Sequence, residues 1–441
     1  MARYRIYPTK NTTIMENKPT HNTGRNEVSE LWYGVDGITR LLMRFDTEDY
    51  VAKYDENLVP HITAITASLV LPNCYPTFES SEYSDAVQAS SVNLLVKLVQ
   101  QDWDEGNGHD FVGYEMDTGY ASWYSATSNT DWAADGGDFV YTVFSGHIDK
   151  GYENFSGDVT DEIQLWNAFT GTDFGVGIMY SANTEALSAD ARTVLKFYTR
   201  HTNTYNLPYI QFDWDNQVTD QRDEIYTGVS KRLYLYTKKS GTFDNVYSAN
   251  SVVVTYSASG GVSGWTATII NNPMEGMYYV DYTSPGPASA GTIITDTWNV
   301  TYENGMDTSS VVQTGLVKSV SSVWSTDAST VIDPSDYDVS IPDIKPEYKQ
   351  GSRVFLEVQN LTNYTTTKNV LKTMEYWVYL KDGILKTEMI PWEGVSYTQD
   401  ENFIMFDTQW FITGCTYGVE FRYNVDGALI YTENERTFKV V

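Results

Sequence analysis

Residues 38–46 alternate: Leu41, Met43 and Phe45 fall on one side, Arg40, Leu42 and Arg44 on the other. A period of two predicts a half-buried strand of antiparallel type. Residues 91–100, SVNLLVKLVQ, predict a second long strand, and the apolar run 62–71 a third that ends at Pro72 and Asn73. The period changes within 157–181. There a polar turn leads into a short helix near 161–169. Thr160 or Asp161 can cap it, Asp161 and Glu162 suit its first turn, and Gly171 suits its end. Ile163 with Trp166, and Leu165 with Phe169, make much of its surface apolar. A helix of about nine residues does not hold alone in water, so it must lie over strands, with Trp166 inward. Phe174, Val176, Ile178 and Tyr180 then alternate with Gly175, Gly177 and Met179, a strand with one very small side. The simplest product is a β-sandwich closed at one end by a helix.

Polar residues 215–232 lead into RLYLYTKK. Residues 233–318 then break into short strands with Gly, Pro and Asn between them, at the spacing of an immunoglobulin-like sandwich. Residues 319–337 are a polar linker. Residues 338–441 form a further β-module, in which Lys381-Asp382-Gly383 and Val425-Asp426-Gly427 are hairpin signals. The expected fold is all-β: a sandwich with one short capping helix over 1–232, an immunoglobulin-like module over 233–318, a linker, and a second small β-sandwich over 338–441.

Composition narrows the function classes. The 441 residues hold 58 Asp plus Glu against 29 Lys plus Arg, a net charge of −29. That argues against nucleic acid and anionic membranes as partners. The 34 Tyr and 12 Trp favour strands and suit cores, interfaces or sugar platforms. No run of about 18 apolar residues predicts a membrane span, and residues 1–13 show no apolar secretion signal. Cys74 and Cys415 fall in different predicted modules, so both are expected as free thiols, which suits a reducing compartment.

Candidate chemistry is sparse. No nucleophile elbow, zinc-protease motif or phosphate loop occurs, and His61, His147 and His201 are scattered, so no enzyme, catalytic residue or cofactor is predicted. Asp102, Asp104 and Asp110 lie in QDWDEGNGHD. Spaced carboxylates in a Gly-rich loop could hold Ca²⁺, although Glu115 falls at position 14 where an EF-hand has its Glu at 12. The competing and preferred reading is a solvated turn bonding its own backbone. Loop 131–138, DWAADGGD, has the same two readings. Trp103, Trp123, Trp132 and Tyr124 could stack on a sugar ring, or pack a sandwich.

Six pieces recur in order: ELWYG at 30–34 with ITRLLMRFD at 38–46; ITAITASLVL at 62–71; QDWDEG at 101–106; ASWYSAT and TDWAADGGD within 121–138; DVT, a Trp-bearing helix and a Gly-rich strand within 157–181; and LKFYTRHTNTYNLPYIQFDWDN at 195–216. This order resembles the DNRLRE-type domain, a carbohydrate-binding-module-like jelly roll of extracellular bacterial and archaeal proteins. The resemblance implies a jelly roll and, through the fold alone, a possible surface glycan. IKPEYKQGSRV at 344–354, FIMFD at 403–407, and GCTYGVEF at 414–421 with Gly427 resemble C-terminal domains of large structural proteins in tailed-phage virions, crAss-like gut phages among them. The jelly roll is extracellular in type, yet residues 1–13 show no export signal; a virion protein, assembled in the host cytoplasm and working outside it, reconciles these. The expected role is a neck, collar or tail ring of identical subunits contacting portal, tail or fibre proteins. Capsid decoration or fibre anchoring is the alternative within that class, and an extracellular carbohydrate-binding adhesin the alternative outside it.

Overall fold

The computed structural model describes residues 2–55, 59–74, 87–109, 120–163, 173–187, 192–219, 230–239, 242–258, 261–267, 270–283, 292–301, 308–317, 337–362, 365–368, 371, 373–397, 401–425, 428–432 and 435–441. The chain is all-β and forms two compact units, one of residues 3–56 and 61–214, the other of 1–2, 57–60 and 215–441. Among the described residues no helix is long and apolar enough to cross a membrane.

In the first unit, one sheet runs in the order Phe139–Ile148, Val92–Val99, Val176–Tyr180, Thr39–Phe45, Pro8–Met15, all antiparallel. Facing it is a sheet ordered Ala2–Ile6, Tyr209–Trp214, Thr66–Leu71, Phe155–Asp158. A bridge from Asn73 to Phe197 continues it into a third set, Val28–Tyr33, Thr193–Tyr198 and Val87–Gln88. Successive strands pass back and forth between the layers, the winding of a jelly roll. Side chains meet across the gap: Phe144 stacks on Phe155 at 5.3 Å, and the Tyr180 hydroxyl donates to Leu31 O at 3.0 Å.

Two expectations for this unit need correction. The strand Thr39–Phe45 is not half-buried, because Leu42 is buried as fully as Leu41 and Met43. The reason is a second small core on the outer face of the five-stranded sheet, where Leu42, Ile14 and Val99 pack under Trp103, Trp123 and Trp132. Nor is Thr160 free to cap the helix that opens at 160. Its Oγ1 accepts from Ala67 N at 2.8 Å, while Asp158 Oδ1 accepts from Thr160 N at 2.9 Å. Trp166 lies outside the described residues. Gly177 does provide the small side: a Cβ there would sit 2.1 Å from the Phe139 ring.

The second unit holds two sandwiches. The first pairs the sheet Ser230–Tyr236, Met277–Thr283, Asn271–Met274 with the sheet Gly261–Ala267, Ser248–Ala258, Thr292–Thr301, Thr308–Val317. Trp298, Tyr282, Val252 and Leu235 are in its core. The second sandwich packs Arg353–Thr362 and Asn402–Asp407 against Met374–Asp382, Thr416–Val425 and Arg436–Val440. Tyr417, fully buried at the start of its strand, accepts from Ile412 N at 2.6 Å, a tyrosine corner of the immunoglobulin kind. A further cluster joins the two sandwiches: Phe243, Tyr234, Met274 and Met277 meet Phe403, Met405 and Phe355, with Val218 between. Cys74 and Cys415 are both free.

Candidate functional site

The acidic loop after Val99 is tied to its own unit. Asp102 pairs with Lys10 at 3.3 Å and Arg44 at 3.6 Å, and Lys10 Nζ also donates to Trp103 O at 2.7 Å. The Asp104 main chain bonds both ways, its N–H to Ala126 O and its carbonyl to Ala121 N. Asp110 lies outside the described residues. Among the described residues no group of three or more His, Cys, Asp or Glu is placed to hold a metal ion. In the second acidic loop, Asp138 accepts from Ala133 N at 2.7 Å and Ala134 N at 2.9 Å, and Asp131 accepts from Ser125 Oγ. That is a turn closed by its own carboxylate.

The aromatic sugar candidates separate. Trp103, Trp123 and Trp132 are buried, and two of the indole N–H groups donate inward, Trp103 to Phe174 O and Trp132 to Ser122 O, each at 2.8 Å. Tyr124 is exposed.

The carboxylate that organises this region is Glu105, which sequence reasoning passed over. Arg200 donates to both its oxygens, at 2.6 and 2.7 Å, Asn11 N donates at 2.9 Å, and His201 Nε2 stands at 3.2 Å. Its sequence signals were its place in the recurring piece QDWDEG and before Gly106, whose φ of +86° turns the loop. Burial alone would raise its pKa. The Arg200, Asn11 and His201 contacts outweigh burial and hold the carboxyl below its ordinary range. Burial, then the Arg200 charge, pushes the His201 imidazole below its ordinary range.

The depressed Glu105 makes a stability difference that is full above its unfolded pKa of about 4.3 and lost as pH falls through the folded value. His201 acts in the same direction from higher pH, since the unfolded imidazole takes its proton first, near pH 6.5. Glu105→Gln is therefore expected to lower the melting temperature at pH 7, with the difference shrinking towards pH 3. A difference that is the same at pH 7 and pH 3 would contradict the ion-pair role.

The C-terminal module carries a second cluster on the outer face of its larger sheet. Trp377 and Tyr379 point away from the core residues Tyr376 and Val378. The register slips between Tyr376↔Glu393 and Val378↔Ile390, so Pro391 and Trp392 both oppose Trp377. This bulge re-aims Trp392 across the face. Its ring lies 5.7 Å from Trp377 and 5.6 Å from Tyr431, with the Arg422 guanidinium 4.3 Å above it. Tyr379 donates to Glu420 at 3.0 Å and to Glu435, and Lys386 lies over its ring at 4.6 Å. Burial first, then those two carboxylates, pushes Tyr379 well above the usual tyrosine range. Within the cluster the cations cover ring faces and pair with its carboxylates, Lys386 with Glu420 and Arg422 with Glu375, while the buried Trp377 Nε1 has no hydrogen-bond partner among the described residues. Beyond it, the hairpin of Met374–Asp382 and Leu385–Gly394 ends in Ile384, 99% exposed, and Leu385, 71% exposed.

No family model and no curated protein matches the sequence. Among solved structures, the chain is similar to Escherichia coli alpha-2-macroglobulin activated by porcine elastase, at 11% identity and a TM-score of 0.20, over 51% of this chain and 20% of that one. It is similar to the FN1-FN3 domains of chicken CNTN1 at 11% identity and a TM-score of 0.16, over 58% and 82% of the two chains. It is also similar to the tandem Ig repeats of Dlar at 8% identity and a TM-score of 0.14, over 50% and 93%. The chain thus spans 20% of the macroglobulin's length.

Proposed function

We propose that the chain is a structural component of a tailed-bacteriophage particle, a neck, collar or tail ring subunit that forms a cyclic oligomer around the head–tail connector. The observation that carries this reading is the apolar hairpin end of the C-terminal module. Gly383, with φ +59°, makes the turn, so Ile384 projects from its tip. A β-branched apolar residue in that position contributes nothing to the fold that holds it. Buried against a neighbouring subunit it would contribute about 25 cal/mol for each Å² of apolar surface covered. The same module holds the segments that resemble virion proteins. The net charge of −29 would keep unassembled subunits soluble and apart. Portal, tail or fibre subunits are the other partners of this reading, and assembly takes place in the host cytoplasm. Capsid decoration or fibre anchoring would use the same hairpin.

The test is incorporation. Ile384→Asp with Leu385→Asp is expected to melt like the parent, because both side chains are exposed. Its copy number in purified particles, counted by quantitative mass spectrometry, should fall at least tenfold. Parent-level incorporation of the variant removes the hairpin from the account. Purified particles without the parent protein remove the virion reading altogether.

A further inference from the structure

The strand Phe139–Ile148 lies at one side of the five-stranded sheet and pairs, among the described residues, with Val92–Val99 alone. Its sequence, FVYTVFSGHI, contains no Asp, Glu, Lys, Arg or Pro, in a chain of net charge −29. Edge strands are usually guarded by such residues, because their outward N–H and C=O groups are a template for another strand. Val140 is 57% and Tyr141 43% exposed, and Thr142 after them is exposed as well. The ladder slips between Phe139 and Thr142 and again between Thr142 and Phe144. Bulges are themselves an edge guard, and they protect the first half of the strand while turning Val140 and Tyr141 outward. From Phe144 to Ile148 the register against 92–96 is unbroken, and Ser145 and His147 are exposed. That half keeps its register and carries no Asp, Glu, Lys or Arg.

Charge decides what can add to it. Asp131 and Asp135 stand exposed ahead of the strand, Asp149 follows it, and Asp161 adjoins Glu162, whose carboxylate accepts from the Tyr141 hydroxyl at 2.7 Å. Among the described residues the nearby cations are Lys97, opposite Thr142, Lys150 in the following turn, and Arg40, which lies over the Phe139 ring and is paired with Glu185. A second copy would bring the same carboxylates and the same net charge to the contact. A strand flanked by Lys or Arg would gain both ladder bonds and attraction. We propose that the outer edge of Phe139–Ile148 is a docking site for an extended, basic-flanked β-strand of a partner protein. This holds wherever the chain works, and rests on the edge alone.

The probe is a labelled synthetic peptide alternating valine and threonine between paired lysines, titrated into the full chain by fluorescence anisotropy. Saturable binding is expected, weakening as salt rises. Val140→Lys with Ser145→Lys, which should melt like the parent, is expected to bind about tenfold more weakly or less, since like charge is set against the lysines. Tyr141→Lys supplies the same comparison should the double variant fold poorly. A peptide with proline at its centre should not bind, and amide exchange at 144–148 should slow when the lysine peptide does. Absence of saturable binding, or equal binding by the parent and the lysine variants, overturns the proposal. So does parent self-association, seen by sedimentation and abolished in the lysine variants, because it assigns the edge to a second copy.

Discussion

Asn22→Ala is expected to destabilise the N-terminal unit by about 4 kcal/mol, among the largest effects of any polar substitution in that unit. Asn22 is fully buried, and its amide joins segments far apart in sequence. Nδ2 donates to Glu105 O and Ala121 O, each at 2.8 Å, and lies 3.2 Å from Thr12 Oγ1. Oδ1 accepts from Gly24 N at 2.9 Å and Gly108 N at 3.1 Å. Alanine would leave two main-chain N–H groups and two carbonyls without these partners, at about 1–3 kcal/mol each and less than additively. The surroundings cannot close over the gap. A Cβ at Gly24 would lie 2.1 Å from Glu105 O, and one at Gly108 1.8 Å from Asn22 O, so the backbones already touch. Gly108→Ala should therefore be at least as damaging. Urea unfolding followed by tryptophan fluorescence measures both. A loss below about 1 kcal/mol for Asn22→Ala would mean that water or a rearranged loop replaces the amide.

Neither Asn22 nor Glu105 could be found in the sequence as a hub, for one physical reason. The partners that make them hubs are distant in sequence: Glu105 and Arg200 are separated by 95 residues, and Asn22 and Ala121 by 99. Local pattern carries no trace of such pairs, and in so acidic a chain one more carboxylate is inconspicuous. What pattern does carry is the strand period, so the all-β class and the strands at 38–46 and 91–100 were legible. Leu42 looked solvent-facing because the loop that covers it, with Trp103 and Trp123, begins more than fifty residues later. The hairpin signals at Asp382-Gly383 and Asp426-Gly427 mark real strand pairs, but at the first the turn proper is Gly383–Ile384, which is how Ile384 reaches the tip. Trp392 gave no sign of its aim, since that depends on a bulge opposite Trp377. The compact units divide at 214/215, which assigns the polar stretch that follows to the second unit. Val218 shows what ties it there: its N–H donates to Ser396 Oγ and its carbonyl accepts from Tyr397 N, contacts with no local mark.

Phe403→Ala is expected to lower the stability of the second unit by about 3–5 kcal/mol, the range for emptying a buried aromatic site. The strand Asn402–Asp407 serves two cores by its alternation. Ile404 and Phe406 face the C-terminal core, while Phe403 and Met405 face the preceding sandwich. The Phe403 ring lies 5.2 Å from Phe355 and 5.6 Å from Phe243, and the Lys238 ammonium caps the group, 4.8 Å from the Phe355 ring and paired with Glu401 at 2.5 Å. The opposite wall alternates in the same way: Leu233 and Leu235 face their own core, Tyr234 and Tyr236 face the joint. With both walls shared, the loss should appear in both sandwiches. Hydrogen exchange is expected to quicken at Leu233 and Tyr278 as well as at Ile404 and Val419. Acceleration confined to the C-terminal residues would show that the sandwiches open independently. The coupling also dictates how the proposed virion role is tested. Removing residues 338–441 would strip Phe243, Met274 and Met277 of their cover, so a failure to enter particles could reflect a damaged neighbour instead of a missing contact. The point changes at Ile384 and Leu385 lie far out on an exposed hairpin and leave that joint intact, which is why incorporation should be read from them.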